Sequence, residues 1–349
     1  MAQVTVIGGG VIGLSTAWQL AQAGQQVQLI HGEPLGTGTS AHAAGALKPF
    51  DALQTGRKQI LQQESLWQYP AFVEKLKTAT GVDVGYRRCG RLAIYEQPAG
   101  WRKAQIASVA AQENWPWQPA QAQLDLAAAQ QLCPALAPTD PVCGVIHCHS
   151  TATFRPAAML TALIQACQQA GVRFEQRQLE SLPKERPLVL ATGAKTNALV
   201  PQANVRPIKR QGILLAWPAE QPLQQIIENG QVYLVPWRQG QAVYIGSTFE
   251  PDVTDPAPTP AAEEWLRAHA ARLVPALATA PLLERFSGIQ SRGQGPSSLL
   301  LGELTSLPGV FISVGHGGVG YCMAPRCGQI LTELVTTGRS SARLPVTSA

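Results

Sequence analysis

The feature that most limits how this chain can fold is a run of glycines close to its start. The run follows a short apolar strand at residues 4–7 and opens a helical stretch at 14–23. In this context the first glycine permits a tight turn, the next lets backbone approach a pyrophosphate, and the last lets the helix pack closely on the strand. The pattern predicts a dinucleotide-binding turn formed by Gly8, Gly10, Val11, Ile12 and Gly13.

The second predicted strand, at 27–30, ends where a ribose-binding carboxylate is expected, but His31 occupies that position. A neutral imidazole accepts one hydrogen bond and donates one, so His31 holds a ribose less firmly than a carboxylate does. Gly32, the next residue, is also expected to contact the cofactor. Glu33 offers a carboxylate from the next loop, and the sequence leaves open which side chain binds the ribose. The loop at 32–38 has no Arg or Lys for a 2′-phosphate, which disfavours NADP.

Length and composition indicate a globular protein large enough for two lobes, since 45% of its 349 residues are hydrophobic. The net charge of +5 is a mild basic excess. Its densest group, Arg206, Lys209 and Arg210, is expected to form a solvated face, with a phosphate or RNA contact as the alternative. No apolar run approaches the roughly 18 residues of a membrane span. No targeting segment precedes the first strand, so we expect a soluble, cytoplasmic protein without membrane contact.

Cysteine usage supports the same compartment. Seven cysteines occur without a repeating spacing, which favours free thiols in a reducing environment over disulfides. Cys143, His147, Cys148 and His149 form a local cluster, but the spacing matches no paired metal motif. Along a strand the two histidines face one way and Cys148 the other, so no metal is expected.

The alternation of elements predicts an α/β fold with a second, α+β domain. Strands alternating with helices at the start indicate a Rossmann-type parallel sheet, whereas a hairpin at 233–247 indicates a mixed, largely antiparallel sheet in the middle of the chain. We expect a ligand in the crevice between the two domains. The cofactor domain is predicted to comprise residues 1–50, 150–205 and 288–349, and the substrate domain residues 51–149 and 206–287.

Periodicity places further elements along the chain. Helices are predicted at 60–78, 157–170, 261–273 and 327–336, and Pro70 is expected to kink or split the first. The stretch 118–138, rich in Ala, Gln and Pro, is expected to be a surface helix with loops. Strands are predicted at 142–146, 188–191, 213–217, 232–236, 242–247 and 310–314.

Three more segments are rich in glycine and small residues, at 38–47, 191–193 and 315–325. Together with the first glycine turn they resemble the D-amino acid oxidase family of FAD-dependent amine and amino acid oxidases, and within it the glycine oxidase branch. In that family the segment matching 38–47 wraps the pyrophosphate and approaches the flavin ring. The segment matching 315–325 places N–H groups at the flavin carbonyl edge. The chain before 191–193 is shorter than the family usually shows, as if a hairpin were deleted. The resemblance implies that FAD is the cofactor and that Leu179 lies near its adenine. The other cofactor-binding residues implied lie in the three segments: Thr39, Ser40, Ala44, Gly45, Ala46, Gly193, His316, Gly317, Gly318, Val319, Gly320 and Tyr321.

On the substrate side the resemblance assigns roles to residues of two strands. Tyr233 lies in a segment similar to the hairpin on which glycine oxidases place a tyrosine that binds the substrate carboxylate. The family's arginine after a Gly-aliphatic pair is replaced by Gln290, and this loses a charge-assisted bond of about 1.5–3 kcal/mol. Arg292 stands two positions later and points to the same face of an extended strand. Either Arg292 substitutes, or the substrate is not a simple α-amino acid.

The resemblance implies an enzyme that oxidises the C–N bond of a small-molecule amine or amino acid. Hydride passes to FAD, the imine hydrolyses, and oxygen or another acceptor takes the electrons. Tyr233, Gln290 and Arg292 are the expected catalytic-site residues, and their task is positioning because the cofactor carries the electron chemistry. Two alternatives stay open: a flavin-binding sensor or scaffold, and a less favoured oxidase of a modified tRNA base whose phosphates would contact the basic group at 206–210.

Overall fold

The computed structural model describes residues 3–294 and 298–341. Its helices are α1 (Val11–Gln22), α2 (Arg57–Thr80), α3 (Pro98–Asn114), α4 (Leu126–Leu132), α5 (Pro156–Gln169), α6 (Pro260–Ala271) and α7 (Gly320–Thr337). Its strands are β1 (Gln3–Ile7), β2 (Gln26–His31), β3 (Ala46–Leu47), β4 (Arg87–Arg88), β5 (Arg91–Tyr95), β6 (Gln121–Leu124), β7 (Gly144–Cys148), β8 (Ala152–Thr153), β9 (Arg173–Gln176), β10 (Leu188–Leu190), β11 (Val205–Ala216), β12 (Ile226–Glu228), β13 (Tyr233–Trp237), β14 (Ala242–Gly246), β15 (Glu250–Pro251), β16 (Leu282–Gly293), β17 (Leu300–Glu303) and β18 (Val310–Val314). None of the helices in the described part combines the length and hydrophobicity of a membrane span.

The first sheet carries the glycine turn. Among the described residues its strand order is β17-β18-β10-β1-β2-β9, parallel except where β17 pairs with β18. Apolar side chains of β1 alternate between two environments, as the strand period requires. Val4 and Val6 pack with Leu14 of α1 and Met159 of α5, whereas Ile7 joins a separate apolar cluster with β10 and β18.

The second sheet is built from the middle of the chain. Within the described residues its order is β15-β11-β14-β13-β12-β5-β7-β6, with β16 also paired to β11. Helix α6 packs against one face of this sheet. The other face meets the loop before β3, where Trp237 Nε1 donates to the Ala44 carbonyl at 2.7 Å and the Tyr244 hydroxyl donates to the His42 carbonyl at 3.3 Å. The site therefore lies where this face approaches the first sheet.

Most predicted elements are present with shifted ends, and some differ. Helix α2 continues through Pro70 rather than splitting there. Helix α7 begins at Gly320 and includes Pro325, so its predicted start at residue 327 is wrong. Helix α3 was not predicted, and β16 was expected only as an extended stretch around Gln290 and Arg292. The strand runs through the predicted domain boundary at residue 288.

Candidate active site

The glycine turn between β1 and α1 excludes side chains at two positions. A Cβ on Gly13 would overlap the Gly8 carbonyl oxygen, and a Cβ on Gly8, whose φ is +123°, would overlap the carbonyl oxygen of Ala191. Helix α1 begins after Gly10 with no side-chain cap and no acidic residue in its first turn. The first N–H groups of the helix and the positive end of its dipole therefore suit a phosphate.

The second loop is attached to this turn through Ser40. The Val11 N–H donates to Ser40 Oγ at 3.1 Å, and the Tyr321 hydroxyl donates to the Ser40 carbonyl at 2.9 Å. The neighbouring Thr39 donates its hydroxyl to the Ile289 carbonyl at 2.8 Å. Three predicted elements, the glycine turn, the second loop and the last loop, are thus brought together, and β16 joins them.

The end of the second loop is shaped by Gly45. Its φ is +76°, and a Cβ there would overlap the carbonyl oxygen of Phe154. Ala46 then pairs with Thr153 as part of β3, while the Ala44 carbonyl accepts the bond from the second sheet. The small residues therefore let this backbone run close to both sheets.

The ribose end of the cradle is formed by the end of β2. His31 is buried, and its Nδ1 lies 2.8 Å from the Glu33 carbonyl. A carbonyl accepts but does not donate, so Nδ1 carries a proton, and in the neutral imidazole Nε2 is an acceptor for a hydroxyl. The Glu33 carboxylate is exposed and ion-paired with Lys195. Lys195 belongs to the segment after β10, so the composition of the 32–38 loop alone does not reveal it.

Residues after β9 lie beside the same end. The Arg177 N–H donates to the His31 carbonyl at 2.9 Å, and the Gln178 side chain lies against Gly32. Leu179 packs at the edge of the apolar cluster around β10. A contact between Leu179 and an adenine stays a prediction.

Gly193 and the last loop present open backbone. Apart from the adjoining residues, no atom of the described residues lies within 4 Å of the position a Cβ would take on Gly193 or Gly317, which have φ values of +56° and +61°. Gly317–Val319 form a short 3-10 helix that leads directly into α7. The first-turn N–H groups of α7 therefore belong to residues 320–323, directly after the last loop.

The His316 side chain points away from this open backbone. Its Nε2 lies 3.3 Å from Ser313 Oγ and 3.6 Å from Cys327 Sγ. Burial and the charge of Lys58 lower the pKa of His316 to about 3, so the imidazole is neutral. The His316 carbonyl accepts a hydrogen bond from Lys58 Nζ at 3.2 Å. The imidazole is therefore a packing group, and the backbone forms the loop surface.

Tyr233 lies on the sheet face that meets these loops. Tyr233, Gly246 and Gly212 are neighbours across β13, β14 and β11. A Cβ on Gly246 would lie 2.7 Å from the Tyr233 hydroxyl oxygen, and one on Gly212 would overlap the Tyr244 hydroxyl. The two glycines therefore make room for the tyrosine rings. No described residue hydrogen-bonds the Tyr233 hydroxyl, whereas that of Tyr244 is bonded to His42.

Strand β16 places Gly288, Gln290 and Arg292 on one face. The Cβ position of Gly288 is 3.0 Å from the Thr39 side chain, and the Gln290 amide lies 3.8–3.9 Å from the Cβ position of Gly318. Gln290 thus stands between the second and last loops. Arg292 lies at the exposed end of the same row.

The basic group on β11 does not form one solvated face. Arg206 is exposed and ion-paired with Asp252, Nε to Oδ1 at 2.7 Å. Lys209 is buried and donates to the Ala257 carbonyl at 2.6 Å. Arg210 is half-buried on the face opposite to Lys209. The expectation of a shared basic surface is wrong because strand alternation turns Lys209 to the face opposite to Arg206 and Arg210, where it is buried.

Arg210 joins the site instead. It lies directly opposite Gly288 on β16, so its side chain shares the face of Gln290. Its Nη1 donates to the Thr248 carbonyl at 2.9 Å, and the guanidinium carbon is 4.5 Å from the Phe249 ring centroid. The sequence prediction assigned Arg210 to the surface, and the period of two along β11 was the signal that separates it from Lys209.

Lys48 brings a second cation that was not predicted. It shares the Glu228 carboxylate with Arg91, at 2.7 and 2.5 Å. Burial alone raises the pKa of Glu228, but the two neighbouring charges outweigh it and lower that pKa to about 2. The trio has a net charge of +1 and holds Lys48 Nζ 4.7 Å from the Tyr233 ring centroid.

Lys58, in the first turn of α2, is a third cation near the site. Its Nζ donates to Ser298 Oγ at 3.1 Å as well as to the His316 carbonyl. Burial and the charge of Arg292 lower the pKa of Lys58 to about 8. Neither Lys48 nor Lys58 has a sequence signal beyond its position soon after the second loop.

The residues present fit a bound dinucleotide. The cradle excludes side chains where a pyrophosphate approaches, the N-cap residue of α1 is a glycine without a side-chain cap, and His31 keeps an acceptor for a ribose. The model of the family described as FAD dependent oxidoreductase matches residues 3–334. This chain belongs to that family. The FAD cofactor and the α/β fold class expected from the sequence are confirmed.

Similar proteins support the same assignment. The bifunctional protein ThiO/ThiG of Nostoc sp. is 30% identical over 365 residues, covering 98% of this chain and 54% of that protein. The glycine oxidase of Pseudomonas putida is 28% identical over 356 residues, covering 96% and 94%. The crystal structure of glycine oxidase from Geobacillus kaustophilus has a TM-score of 0.90 at 23% identity, covering 100% and 98%. The chain spans about half the length of the bifunctional relatives that it matches.

Proposed function

We propose that this FAD-dependent oxidoreductase oxidises the C–N bond of a small amine or amino acid that carries a carboxylate. The observation that supports this is the Tyr233 hydroxyl, which no described residue hydrogen-bonds, on the same sheet face as Gln290 and opposite the glycine-rich loops. Similarity to proteins named glycine oxidase supports a small amino acid as substrate. When bound, FAD supplies the acceptor for the hydride that leaves the substrate carbon.

The chain's own groups bind and orient the substrate. In this proposal Tyr233 donates its hydroxyl hydrogen to the substrate carboxylate and Gln290 donates from its side-chain amide. Arg292 adds positive charge at the open end of the row. A neutral His316 that points into the core supplies no base, so orientation rather than proton transfer is the main contribution of the protein.

We further propose a cytoplasmic location and reoxidation by oxygen or another acceptor. The seven free cysteines are compatible with a reducing compartment. Peroxide release in air, measured beside reduction of an artificial acceptor, distinguishes an oxidase from a dehydrogenase.

Anaerobic flavin bleaching tests the proposed reaction. The FAD-loaded protein is mixed with a panel of glycine, sarcosine, D-amino acids and simple amines, and its visible absorbance is followed. At least one amine is expected to bleach the flavin. If every amine leaves the colour unchanged while dithionite removes it, the flavin is redox-competent and the amine oxidation is wrong, which leaves the scaffold alternative.

A substitution tests the role of Tyr233. Tyr233→Phe removes one hydrogen bond to the carboxylate, so KM is expected to rise roughly tenfold with kcat largely kept. Tyr95→Phe, on β5 of the same sheet, is the matched control and is expected to change neither value. Equal KM values for Tyr233→Phe and the unmodified protein would remove Tyr233 from the binding site.

A further inference from the structure

The substrate side of the cleft carries more positive charge than one carboxylate neutralises. Arg210, Arg292 and Lys58 have no ion-pair partner among the described residues. Lys48 shares its one carboxylate, that of Glu228, with the buried Arg91. When cations in a cleft lose their hydrating water, an anion that takes the place of the water stabilises them.

The positively charged side chains are arranged along β16, and Arg210 is at one end. Its Nη1 is held by the Thr248 carbonyl at 2.9 Å and by Ser247 Oγ at 3.3 Å. Its Nε and Nη2 have no hydrogen-bond partner among the described residues, so one edge of the fork stays free for a carboxylate. Burial lowers the pKa of Arg210 and Tyr233 opposes that change, which agrees with the two groups being close.

Arg292 and Lys58 form the other end. Arg210 is level with Gly288, and Arg292 lies four residues further along β16, about 13 Å between Cα positions at the usual strand rise. The long side chains shorten the gap between the charged groups. Lys58 is fixed on the loop side by its bonds to Ser298 and His316. Gln290 lies between the two ends.

We propose that the cleft binds an amine with two anionic groups, one held by Arg210 and Tyr233 and the other by Arg292 and Lys58. An N-carboxymethyl amino acid is the simplest compound of this class. The idea rests on the proposed function, because the C–N bond between the two anions is the one oxidised. For iminodiacetate, a methylene C–H bond breaks, its hydride passes to FAD and the nitrogen loses a proton; water then adds to the imine and releases glycine and glyoxylate.

Non-oxidisable ethers test the two-anion site by binding alone. Diglycolate and methoxyacetate differ mainly in the second carboxylate, and neither has an amine to titrate. Their dissociation constants are measured by calorimetry on the FAD-loaded protein. Diglycolate is expected to bind at least roughly tenfold more tightly, beyond the twofold statistical advantage of two equal acids. A ratio of about two or less would overturn the proposal.

Substitutions assign the two ends. Arg210→Gln and Arg292→Gln are each expected to reduce the diglycolate preference to about twofold, because each removes one anion contact. Arg173→Gln removes an exposed charge on β9 that has no ion pair in the described structure, and it is expected to keep the full preference. FAD content and melting temperature confirm that each variant is folded. A preference unchanged in both site variants would overturn the assignment.

Oxidation separates this proposal from the preceding one. In anaerobic bleaching, iminodiacetate is expected to have at least a tenfold higher kcat/KM than sarcosine, its counterpart with one carboxylate. Faster bleaching by sarcosine contradicts the two-anion substrate but keeps C–N oxidation. Bleaching by neither, together with the ether preference, keeps the two-anion site and contradicts the oxidation.

Discussion

At Gly13 the backbone leaves no space for a methyl group, because the Gly8 carbonyl oxygen occupies the Cβ position. Gly13→Ala is therefore expected to push α1 away from β1 and open the cradle. We expect a loss of about 1–3 kcal/mol in the free energy of unfolding and a strong loss of bound FAD. The flavin-to-protein absorbance ratio and the melting temperature measure the two effects.

Gly100 provides the matched control for that substitution. It is the third residue of α3, as Gly13 is of α1, and its Cβ position is 3.7 Å from Tyr95, an ordinary contact. Gly100→Ala is expected to keep FAD and to stabilise the protein slightly, since alanine favours a helix by about 1 kcal/mol over glycine. Normal FAD content in Gly13→Ala would show that the cradle is not as closed as described.

Glu228 links a buried charge cluster to stability at low pH. Its pKa is about 2 in the folded protein against an ordinary 4.5, so the folded state binds this proton more weakly. The resulting stability is present above about pH 4.5 and is lost as the pH falls towards 2. The shift corresponds to about 3 kcal/mol.

Glu228→Gln is expected to lower stability at neutral pH by about 3–5 kcal/mol, because Arg91 remains buried without its carboxylate. The variant is also expected to lose less further stability between about pH 5 and pH 3 than the unmodified protein. Urea unfolding at several pH values measures both. Glu264→Gln, at an exposed position on α6, is the control, and equal behaviour of the two variants would contradict the role of Glu228.

Residues that act through local backbone were predictable from sequence, and residues that act through tertiary contacts were not. The glycines of the cradle are fixed by strand, turn and helix over a few positions. Lys58 reaches the site because α2 begins beside the last loop, and Arg210 because β11 pairs with β16. Neither pairing leaves a pattern in the local sequence.

At the scale of elements, β2 has one face in the core and the other beside an open hollow. An open hollow of about 850 Å³ lies over one sheet face, and Gln28 lines it. Gln28 donates to Glu175 at 2.6 Å and accepts from Gln3 at 3.1 Å. The neighbouring Leu29 is fully buried on the opposite face. The hollow is lined by polar and apolar side chains, and Gln28 is one of the polar ones.

Substitution of these two neighbours tests which face carries the core. Leu29→Ala is expected to cost about 2–5 kcal/mol, because it leaves a cavity under the helices. Gln28→Ala is expected to cost less than about 1 kcal/mol, because solvent replaces its two hydrogen bonds. Chemical denaturation of the two variants gives the comparison. Equal losses would mean that the Gln28 face is also packed.

The elements that were missed have weak hydrophobic patterns for identifiable reasons. Helix α3 buries the small residues Ala104, Ser108 and Ala111, which give little periodic signal. Strand β16 begins with exposed residues and carries glycine and polar side chains toward the site. Helix α7 starts in a glycine-rich segment and contains Pro325, both of which predict a loop. Function in the last two elements requires residues that obscure their structure.

At the scale of the whole molecule, the two sheets meet through loops that belong to neither. Thr39 bonds β16, Ala44 and His42 accept bonds from the second sheet, and Ser40 bonds the start of α1. The cofactor loops and the substrate face are consequently held in one arrangement. The charge of the cleft is therefore the sum of groups from β11, β16, α2 and the second loop.

That summed charge should change with pH through Lys58. The surrounding groups are the Arg292 guanidinium on β16, Cys327 on α7, whose pKa burial raises to about 12, and the neutral His316. Lys58 has a pKa of about 8, so it titrates closer to neutrality than Cys327 or His316. Below about pH 8 it is an ammonium ion that attracts an anion, and above it the attraction is lost.

The affinity for diglycolate is therefore expected to fall several-fold as the pH rises from about 7 to about 9, since the ligand itself does not titrate there. Lys58→Met should bind diglycolate weakly at all pH values and show little pH dependence. Lys184→Met, at an exposed position, serves as the control and should keep the full pH dependence. A flat affinity in the unmodified protein, or an unchanged slope in Lys58→Met, would exclude Lys58 from the anion site. Calorimetry with diglycolate measures binding without oxidation, so the pH dependence of the affinity depends on the arrangement of charges alone.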